Sequence, residues 1–446
     1  MDGDIYTRIT GIIYIEDKMN LSKLAFLILG KGVTYDNCKI FFDKKSITYQ
    51  AINTEDILNI DNDSIFTKKG KINIRSINYV VISPGIKKQN DYVQKLLNAG
   101  CEFITDVELL QSQLQAKYIC VTGTNGKTST VNLLADILNN NNQRALACGN
   151  NGVSLFKALE EDFSYIIIEL SSYQLEYIKN LDSFISIILN ISDDHLDRHG
   201  SLKEYLDIKL KIFNNADNCI INSDIEVSKK YQTYNINKNK FLIDGKTLKE
   251  ISFMDYKSIK LNEKMFKING KHEVMNLCAC LAILKIIGLS INNTLLGFSQ
   301  RYVLPHRLEN FCTYKATKFI NDSKSTNASS TLNALESISS NITLIMGGDK
   351  KKISYSLLSK IINDKVKLLI LFGCNKHDLY NEILPNVETV FFNNLKEVVS
   401  YIFSDFRKKT TILFSPGTSS FSLYQNFEER GNHFKNLVNY YVNKKV

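Results

Sequence analysis

Short apolar runs alternate with amphipathic segments along most of the chain, and this pattern predicts alternating strands and helices. Residues 24–29 and 118–121 are continuous apolar runs of the kind that form strands buried on both faces. After the second run, apolar residues recur at helical spacing at Val131, Leu134 and Leu138. The repeated order of strand and helix predicts an α/β protein with mostly parallel sheets.

The chain is too long for one core, so we expect three α/β domains, at residues 1–107, 108–303 and 304–446. Pro305 and a shift in composition mark the second boundary. In the first domain, a strand that ends in a glycine turn at residues 30–34 would be followed by a second strand reaching Asp43. Residues 1–20 lack a clear pattern and Met19 offers an alternative start, so this segment is expected to be a non-native extension.

Composition narrows the class of protein. The hydrophobic content of 44% is ample for packed cores, and no run approaches the roughly 18 apolar residues of a membrane span. Acidic residues near the start interrupt any signal peptide, so we expect a cytoplasmic protein without a membrane partner. The nine cysteines form no Cys-x-x-Cys pair and are odd in number, which argues against a disulfide framework and a zinc site.

The net charge of +9 raises the possibility of a nucleic-acid-binding protein. The positive residues, however, are spread through lysine- and asparagine-rich segments and are not gathered beside aromatic residues. We therefore expect solvated lysines and no nucleic-acid partner. Strong, steeply salt-dependent DNA binding would reverse this interpretation.

The most informative segment is a glycine-rich turn between the strand at 118–121 and the helix after it. Gly123 and Gly126 would let backbone N–H groups approach phosphate oxygens, and the helix start adds partial positive charge. Lys127 would reach the β- and γ-phosphates, and the Thr128 hydroxyl would bind Mg²⁺. An ordinary glycine turn is the alternative, but it gives Lys127 and Thr128 no purpose. We predict a nucleotide-binding loop of Gly123, Thr124, Asn125, Gly126, Lys127, Thr128 and Ser129.

Acidic and imidazole side chains follow two further strands of the central domain. Glu169 ends one apolar run and His195 follows another, at the sheet edge where open α/β sheets bind ligands. Glu169 is predicted to hold Mg²⁺, although a solitary glutamate there is usually a surface or cap residue. His195 is a second Mg²⁺ ligand, a substrate contact, or by default a capping or core histidine. From its spacing alone, Lys209 is a solvated helix residue.

Polar side chains also gather in the last part of the chain. His272 and Asn276 share a helix face, where the amide would contact a nucleobase or the pair would simply follow a helix cap. Beyond them, clusters of hydroxyl, amide and charged groups follow three predicted strands, at residues 321–327, 347–352 and 415–431. The lysines at 350–352 are either solvated or bind a carboxylate or phosphate. Three such clusters in one domain predict a ligand site.

Taken in order, these segments resemble the Mur ligases, and residues 321–327 resemble the members that add D-glutamate. The resemblance covers the chain from about residue 20 onward. It is carried by Gly-Thr-Asn-Gly-Lys-Thr at 123–128, Gly149-Asn150-Asn151-Gly152, Glu169-Leu-Ser-Ser, Asp194-His195-Leu-Asp-Arg198, His272 with Asn276, Pro305-His306-Arg307, Asn321-Asp-Ser-Lys-Ser-Thr-Asn327, Gly347-Gly-Asp349 and Asn426-Phe-x-x-Arg-Gly431. The chain departs from the family pattern at Glu273 and Ser422.

The resemblance implies Rossmann-like first and third domains around a central phosphate-loop ATPase. It implies a monomer that joins D-glutamate to UDP-N-acetylmuramoyl-L-alanine, using ATP and forming an acyl phosphate. Two Mg²⁺ ions would be held by Thr128, Glu169, His195 and a carbamylated Lys209, and the other catalytic groups would be Lys127 and Asn150. The nucleotide would also contact Asn276, Arg307 and Asp322. D-glutamate would contact Lys324, Thr326, Lys351, Ser420 and Phe427, and the uridine diphosphate would contact Val33, Thr34, Asp43, Ser83, Pro84 and Gly85.

Two alternatives remain open at this point. A sibling Mur ligase or a folylpolyglutamate-type ligase would attach a different acceptor, and it would carry another signature at residues 321–327. A nucleotide-binding protein that has lost catalysis would lack Lys127, Glu169 or His195, all of which are present.

Overall fold

The computed structural model describes residues 20–222, 225, 241–243, 271–289, 305–339, 341–349, 354–404 and 410–444. The chain divides into two compact units. Unit 1 comprises residues 1–117, 152–163 and 176–182, and unit 2 comprises residues 118–151, 164–175 and 183–446. The predicted extension before Asn20, the predicted boundary at 303–304 and Lys351 lie outside the described residues, so the three-domain boundaries stay predictions.

Unit 1 is built on a parallel sheet. Its described strands are β1 Ala25–Leu29, β2 Thr48–Ile52, β3 Ile57–Ile60, β4 Ser64–Thr67, β5 Gly70–Asn73, β6 Tyr79–Ile82 and β7 Glu102–Ile104. The main sheet has the order β2-β1-β6-β7 with parallel pairing throughout, and β3, β4 and β5 form a small antiparallel sheet. Its described α-helices are Val33–Lys45, Asp91–Asn98 and Asp106–Gln111.

One prediction for unit 1 is wrong, because the segment that leads to Asp43 is a helix and not a second strand. The helix Val33–Lys45 buries residues at three- and four-residue intervals, namely Thr34, Cys38, Phe41 and Phe42. That spacing follows one face of a helix, whereas a half-buried strand would alternate. The second strand is β2, which begins only after a left-handed turn at Ser46.

The predicted nucleotide-binding loop follows a strand of the first sheet of unit 2. The strands of this sheet run in the order β13-β12-β11-β8-β10-β9, with ranges β8 Lys117–Thr122, β9 Ala145–Gly149, β10 Tyr165–Glu169, β11 Asp182–Ile188, β12 Asn215–Asn222 and β13 Phe241–Ile243. The pairs β8 with β11, β9 with β10 and β12 with β13 are parallel. The described α-helices here are Lys127–Asn140, Ser172–Tyr177, Leu196–His199, Leu202–Leu210 and Lys271–Ile287.

The second sheet of unit 2 carries the C-terminal polar clusters. Its order is β14-β15-β19-β16-β17-β18, with ranges β14 Glu309–Tyr314, β15 Thr317–Asn321, β16 Ile342–Gly348, β17 Val366–Gly373, β18 Glu388–Phe392 and β19 Thr411–Phe414. All pairs are parallel except β14 with β15. The described α-helices are Ala328–Ser337, Ser359–Lys365, Lys376–Ile383, Leu395–Ser404 and Phe427–Lys444. These sheets confirm the predicted α/β class.

A buried helix packs against the helix that follows the predicted nucleotide-binding loop. Residues 277–284 of the helix Lys271–Ile287 are all buried, as expected for a helix that is apolar on every side. They pack in one core with Val131, Leu134 and Leu138 of the helix Lys127–Asn140, the three residues whose spacing predicts that helix. The two helices therefore share one core. Of the helices in the described part of the chain, none combines the length and hydropathy needed to cross a bilayer.

Candidate active site

The predicted nucleotide-binding loop joins β8 to the helix Lys127–Asn140. Gly126 has a φ of 85°, and a side chain there would collide with the amide of Asn276. The Lys127 ammonium folds back over the loop and donates hydrogen bonds to the carbonyl oxygens of Gly123 at 2.8 Å and Thr124 at 2.9 Å. Thr128 and Ser129 lie half-buried in the first helical turn. This is the strand-to-helix geometry that phosphate binding requires.

Alanine at Gly126 is expected to weaken binding of an ATP analogue by about tenfold, measured by titration calorimetry. The new methyl group meets Asn276, and a left-handed non-glycine residue costs about 1–2 kcal/mol. Gly288→Ala is the matched control, because Gly288 has a similar φ of 83° but no heavy atom within 4 Å of an added methyl group. Equal losses of affinity in the two variants would contradict the prediction.

Asn190, a residue that sequence analysis does not single out, holds the backbone of the loop. Its side-chain oxygen accepts the N–H of Asn125 at 2.8 Å, and its amide nitrogen donates to the Asn125 carbonyl oxygen at 3.0 Å. Its own carbonyl oxygen accepts the N–H of Thr124 at 3.0 Å. The only signal in the sequence is that Asn190 lies just past the end of a predicted strand.

Glu169 and Asn150, both predicted site residues, lie together at the ends of β10 and β9. The Asn150 amide donates to Oε1 of Glu169 at 3.0 Å. Oε2 of Glu169 is buried and has no hydrogen-bond partner among the described residues. A buried carboxylate oxygen without a partner is costly, and a bound cation would satisfy it. Glu169 therefore fits the predicted role of a Mg²⁺ ligand.

Lys209 is fully buried, so the interpretation of this residue as solvated, drawn from spacing alone, is wrong. Its Nζ donates to Oγ1 of Thr122 at 3.1 Å and to the carbonyl oxygen of Gly123 at 3.0 Å, and it lies 4.7 Å from the ring centroid of Tyr205. Burial lowers the pKa of this amine well below its usual value, and the nearby charge of Lys127 lowers it further. Asp194 and Glu169 act in the opposite direction.

His195 lies in a polar turn after β11 with its ring held by neighbours. Its φ is 55°, and its Nδ1 lies 2.9 Å from the hydroxyl of Tyr173. Its Nε2 is 3.6 Å from Oδ2 of Asp194. The two ring nitrogens therefore face different groups, Nδ1 the hydroxyl of Tyr173 and Nε2 the carboxylate of Asp194.

The described residues contain no group of three or more His, Cys, Asp and Glu side chains that could bind a metal ion by themselves. Mg²⁺ does not need such a group, since it is usually bound by one or two carboxylates together with substrate phosphates and water. The unpartnered oxygen of Glu169 beside a phosphate-binding loop has that character.

Positive side chains from both sheets of unit 2 act on Glu169. Arg307, Lys324, Lys127 and Lys209 each interact electrostatically with this carboxylate. Burial lowers the pKa of each of the four groups, and it lowers that of Lys324 to about 8. The carboxylates that act on these four cations are Glu169, Asp194, Asp322 and Glu428, so the positive and negative side chains are equal in number.

The segment 321–327 is anchored by Asp322. Its carboxylate accepts hydrogen bonds from the hydroxyls of Ser325 at 2.5 Å and Ser415 at 2.8 Å, and from the N–H of Leu308 at 3.2 Å. Burial raises the pKa of this carboxyl to about 6, and Arg307 opposes the shift. The neighbouring Lys324 lies 3.7 Å from the ring centroid of Phe427, which pairs two predicted substrate residues.

Arg430 joins the three C-terminal clusters. The fully buried guanidinium donates to the carbonyl oxygens of Ser323 at 2.8 Å, Thr418 at 2.9 Å and Ser419 at 3.0 Å. The N–H of Asp349 also donates to the Ser419 carbonyl oxygen at 3.3 Å. The described residues of the three clusters therefore lie together, with Ser420 buried and Thr326 half-buried.

Comparison with known proteins agrees with this geometry. Residues 121–284 match the family model of the Mur ligase middle domain. The chain is 34% identical over 433 residues to the UDP-N-acetylmuramoylalanine--D-glutamate ligase of Buchnera aphidicola subsp. Acyrthosiphon pisum, covering 92% of this chain and 97% of that protein. It belongs to this ligase family. The ligase of the same name from Thermoanaerobacter pseudethanolicus is 32% identical, with 94% of this chain and 99% of the relative covered.

Solved structures of other Mur ligases share the fold. MurF of Thermotoga maritima in complex with ADP superposes with a TM-score of 0.59 at 13% identity, covering 84% of this chain and 97% of that chain. MurC of the same organism gives a TM-score of 0.58 at 16% identity, covering 93% and 98%. These neighbours confirm the predicted multidomain α/β architecture of a Mur ligase.

The predicted uridine diphosphate residues of this Mur ligase lie in unit 1, and only some of them are close together. Gly85 lines a cavity of about 410 Å³ with Thr54, Ile86, Lys87, Gln89 and Asn90. Ser83 precedes it at the end of β6, and its side chain lies so close to Gly30 that a side chain on Gly30 would overlap it. Gly85 therefore lines the cavity, and Ser83 and Pro84 directly precede it in the chain, whereas Thr54 and Asn90 line the cavity without having been predicted.

The other three predicted residues lie on the helix Val33–Lys45. Val33 is exposed at its first turn, whereas the Thr34 hydroxyl is turned inward to Oδ2 of Asp106 at 3.3 Å. Asp43 is ten residues further on, about 15 Å along the helix axis, and accepts a hydrogen bond from Tyr49 at 2.7 Å. The structure does not bring Asp43 to the end of the helix where Val33 and Thr34 lie.

Proposed function

We propose that this chain joins D-glutamate to UDP-N-acetylmuramoyl-L-alanine at the expense of ATP, in cytoplasmic peptidoglycan precursor synthesis. The observation that carries the proposal is the convergence of Lys127, Lys209, Arg307 and Lys324 on the buried Glu169, beside a phosphate-binding loop. Similarity to D-glutamate ligases over nearly the whole chain supports the choice of amino acid.

In the first step, an oxygen of the alanyl carboxylate attacks the γ-phosphorus of ATP and ADP leaves, which produces an acyl phosphate. Such a transfer depends on positioning and charge neutralisation more than on covalent help from the protein. Lys127 would hold the β- and γ-phosphates, and the amides of Thr124, Asn125 and Gly126 would cradle them. Asn150 would contact the alanyl group, and Asn276, Arg307 and Asp322 would hold the nucleotide.

Glu169 and Thr128 would hold one Mg²⁺ ion, and His195 and a carbamylated Lys209 would hold a second. The ions supply charge neutralisation at the phosphates when they are bound. Burial of the Lys209 amine supports the carbamate, because the neutral amine that reacts with CO₂ is favoured at this position. The N–C bond forms as the amine loses a proton, and the product presents oxygen atoms, which Mg²⁺ prefers.

In the second step, the amine of D-glutamate attacks the carbonyl carbon of the acyl phosphate. A tetrahedral intermediate forms, the amine loses a proton, and inorganic phosphate leaves. Lys324 would bind a carboxylate of D-glutamate against the ring of Phe427. Thr326, Ser420 and Lys351 would complete the amino-acid site.

Binding of D-glutamate is expected to depend on the protonation of Lys324. Its pKa is lowered to about 8, so the ammonium is present below pH 8 and is lost as pH rises through that value. Relative to Lys324→Arg, which keeps its charge, kcat/KM of the wild type for D-glutamate should fall by up to about tenfold per pH unit above 8. Ionisation of the D-glutamate amine affects both enzymes alike and cancels in the ratio. A ratio that is flat from pH 7 to 10 would rule out this role.

The overall reaction is tested by measuring phosphate release from Mg²⁺-ATP and UDP-N-acetylmuramoyl-L-alanine with amino acids supplied one at a time. We expect phosphate release and amide product with D-glutamate alone. Release with another amino acid would indicate a sibling ligase. No release under any of these conditions would favour a nucleotide-binding protein without catalysis.

A further inference from the structure

Residues at the start of the helix Ala328–Ser337 form hydrogen bonds with the nucleotide-binding loop. Ser330 places its hydroxyl oxygen 2.7 Å from Oδ1 of Asn125 and 2.9 Å from Oδ1 of Asn327. The Asn327 amide nitrogen lies 3.4 Å from the same Asn125 oxygen. Asn125 is the third residue of the loop Gly123 to Ser129, so a side chain of the phosphate-binding turn is held from the second sheet of unit 2.

Asn327 can make this contact through Nδ2 because its Oδ1 already accepts a hydrogen bond from the helix. Its Oδ1 caps the helix by accepting the N–H of Ser330 at 2.8 Å. The remaining Nδ2 is therefore directed away from the helix, and it donates to Oδ2 of Asp194 at 3.1 Å. Asn327 is only 1% exposed and Asp194 only 5%, so these hydrogen bonds are shielded from water.

Asn125 is held on two sides at once. Its backbone N–H and carbonyl are both engaged by the Asn190 side chain, whereas its own side-chain oxygen is engaged by Ser330 and Asn327. The peptide between Asn125 and Gly126 is one of the units whose N–H groups face a phosphate in such loops. The direction of that N–H follows from the orientation of Asn125.

We propose that Ser330 and Asn327 are positioning residues for the nucleotide, which act through Asn125 to keep the phosphate-binding turn in its binding conformation. The inference rests on the proposed function only in that it requires the loop to bind a nucleotide. Neither residue touches the reacting atoms. Their effect should therefore appear in nucleotide affinity and not in the affinity for D-glutamate.

The test is a double-mutant cycle that uses the full chain and the dissociation constant of a non-hydrolysable ATP analogue, measured by calorimetry. Ser330→Ala is expected to weaken binding by about fivefold, as for loss of one hydrogen bond. In an Asn125→Ala background, Ser330→Ala should cause no further loss, because the residue through which it acts is gone. Additive losses in the double variant would overturn the inference.

Conservative variants separate positioning from a general structural role. Ser330→Thr keeps the hydroxyl and should restore wild-type affinity. Asn327→Ser keeps a capping side chain but cannot reach Asn125, and it should weaken nucleotide binding like Ser330→Ala. Ser329→Ala is the control on the same helical turn, since Ser329 makes no side-chain hydrogen bond to the loop in the described part of the chain. The KM for D-glutamate at saturating ATP should stay unchanged in all four variants, and a parallel rise in that constant would also overturn the inference.

The outcome for the wild type distinguishes the two proposals. If the wild type does not bind the analogue, the proposed ligase function fails together with this inference. If the wild type binds the analogue and Ser330→Ala binds it equally well, the inference alone fails.

Discussion

Replacing Lys127 with alanine is expected to lower kcat for phosphate release by about a thousandfold, with a smaller change in the KM for ATP. The Lys127 ammonium is the positive charge carried by the loop itself, and in the structure it spans the carbonyl oxygens of Gly123 and Thr124. Charge on the transferring phosphoryl group must be neutralised, and one such preorganised contact contributes about 3–4 kcal/mol. Steady-state phosphate release from ATP and UDP-N-acetylmuramoyl-L-alanine gives kcat and the KM for ATP, and single-turnover release isolates the transfer step.

Lys117→Ala is the control for the loss of a lysine charge, because Lys117 is exposed at the start of β8 and remote from the loop at its end. Its kcat should match the wild type. If Lys127→Ala raises the KM for ATP and leaves kcat unchanged, the ammonium serves ATP binding and not the transfer step.

The strand, glycine turn and helix of the predicted nucleotide-binding loop can be predicted from sequence because their determinants are adjacent. Two glycines, a lysine and a threonine follow one apolar run, and each acts through local geometry. The same holds for Glu169 and Asn150, since the ends of neighbouring parallel strands meet at one edge of a sheet. For these residues, the local sequence pattern is sufficient to predict their position in the fold.

Other features depend on contacts between distant residues, which spacing does not reveal. Asn190 and Asn327 hold Asn125 from segments 65 and 202 residues away along the chain, and neither segment has a pattern that marks this contact. The helix Val33–Lys45, which contains Asp43, is predicted as a strand for a different reason. The segment before Asp43 contains both β-branched and aromatic residues, and the helical spacing of its buried face becomes clear only when the packed side is known.

Lys209 is the clearest case in which the hydrophobic periodicity of a helix fails to predict that a residue is buried. Its helix, Leu202–Leu210, is short and rich in charge, so a lysine in its last turn looks solvated. In the structure the same helix end is covered by the loop and by Tyr205, and the lysine is 1% exposed. A buried lysine without a carboxylate hydrogen-bond partner is expensive for stability, and its retention points to function.

Replacing Lys209 with methionine is expected to lower kcat by about a hundredfold while leaving the free energy of unfolding unchanged or higher. Methionine fills a similar volume without burying an amine, whereas it removes the predicted carbamate and one ligand of the second Mg²⁺ ion. The variant is compared with the wild type in steady-state assays and in urea unfolding. A large loss of stability would instead mean that Lys209 serves packing and its hydrogen bonds to Thr122 and Gly123.

The carbamate itself has a distinct signature, because it forms reversibly from CO₂. Wild-type activity should fall when bicarbonate and CO₂ are stripped from the buffer and should return when bicarbonate is added, whereas the residual activity of Lys209→Met should not respond. Supplying ¹³C-bicarbonate should give a carbamate carbon resonance in the wild type that is absent from Lys209→Met, a readout that does not depend on turnover. Because burial lowers the pKa of this amine, its neutral form is available at a lower pH than for an exposed lysine. Carbamate formation at neutral pH should therefore be selective for Lys209, and a resonance of equal intensity in the variant would show that other amines account for it.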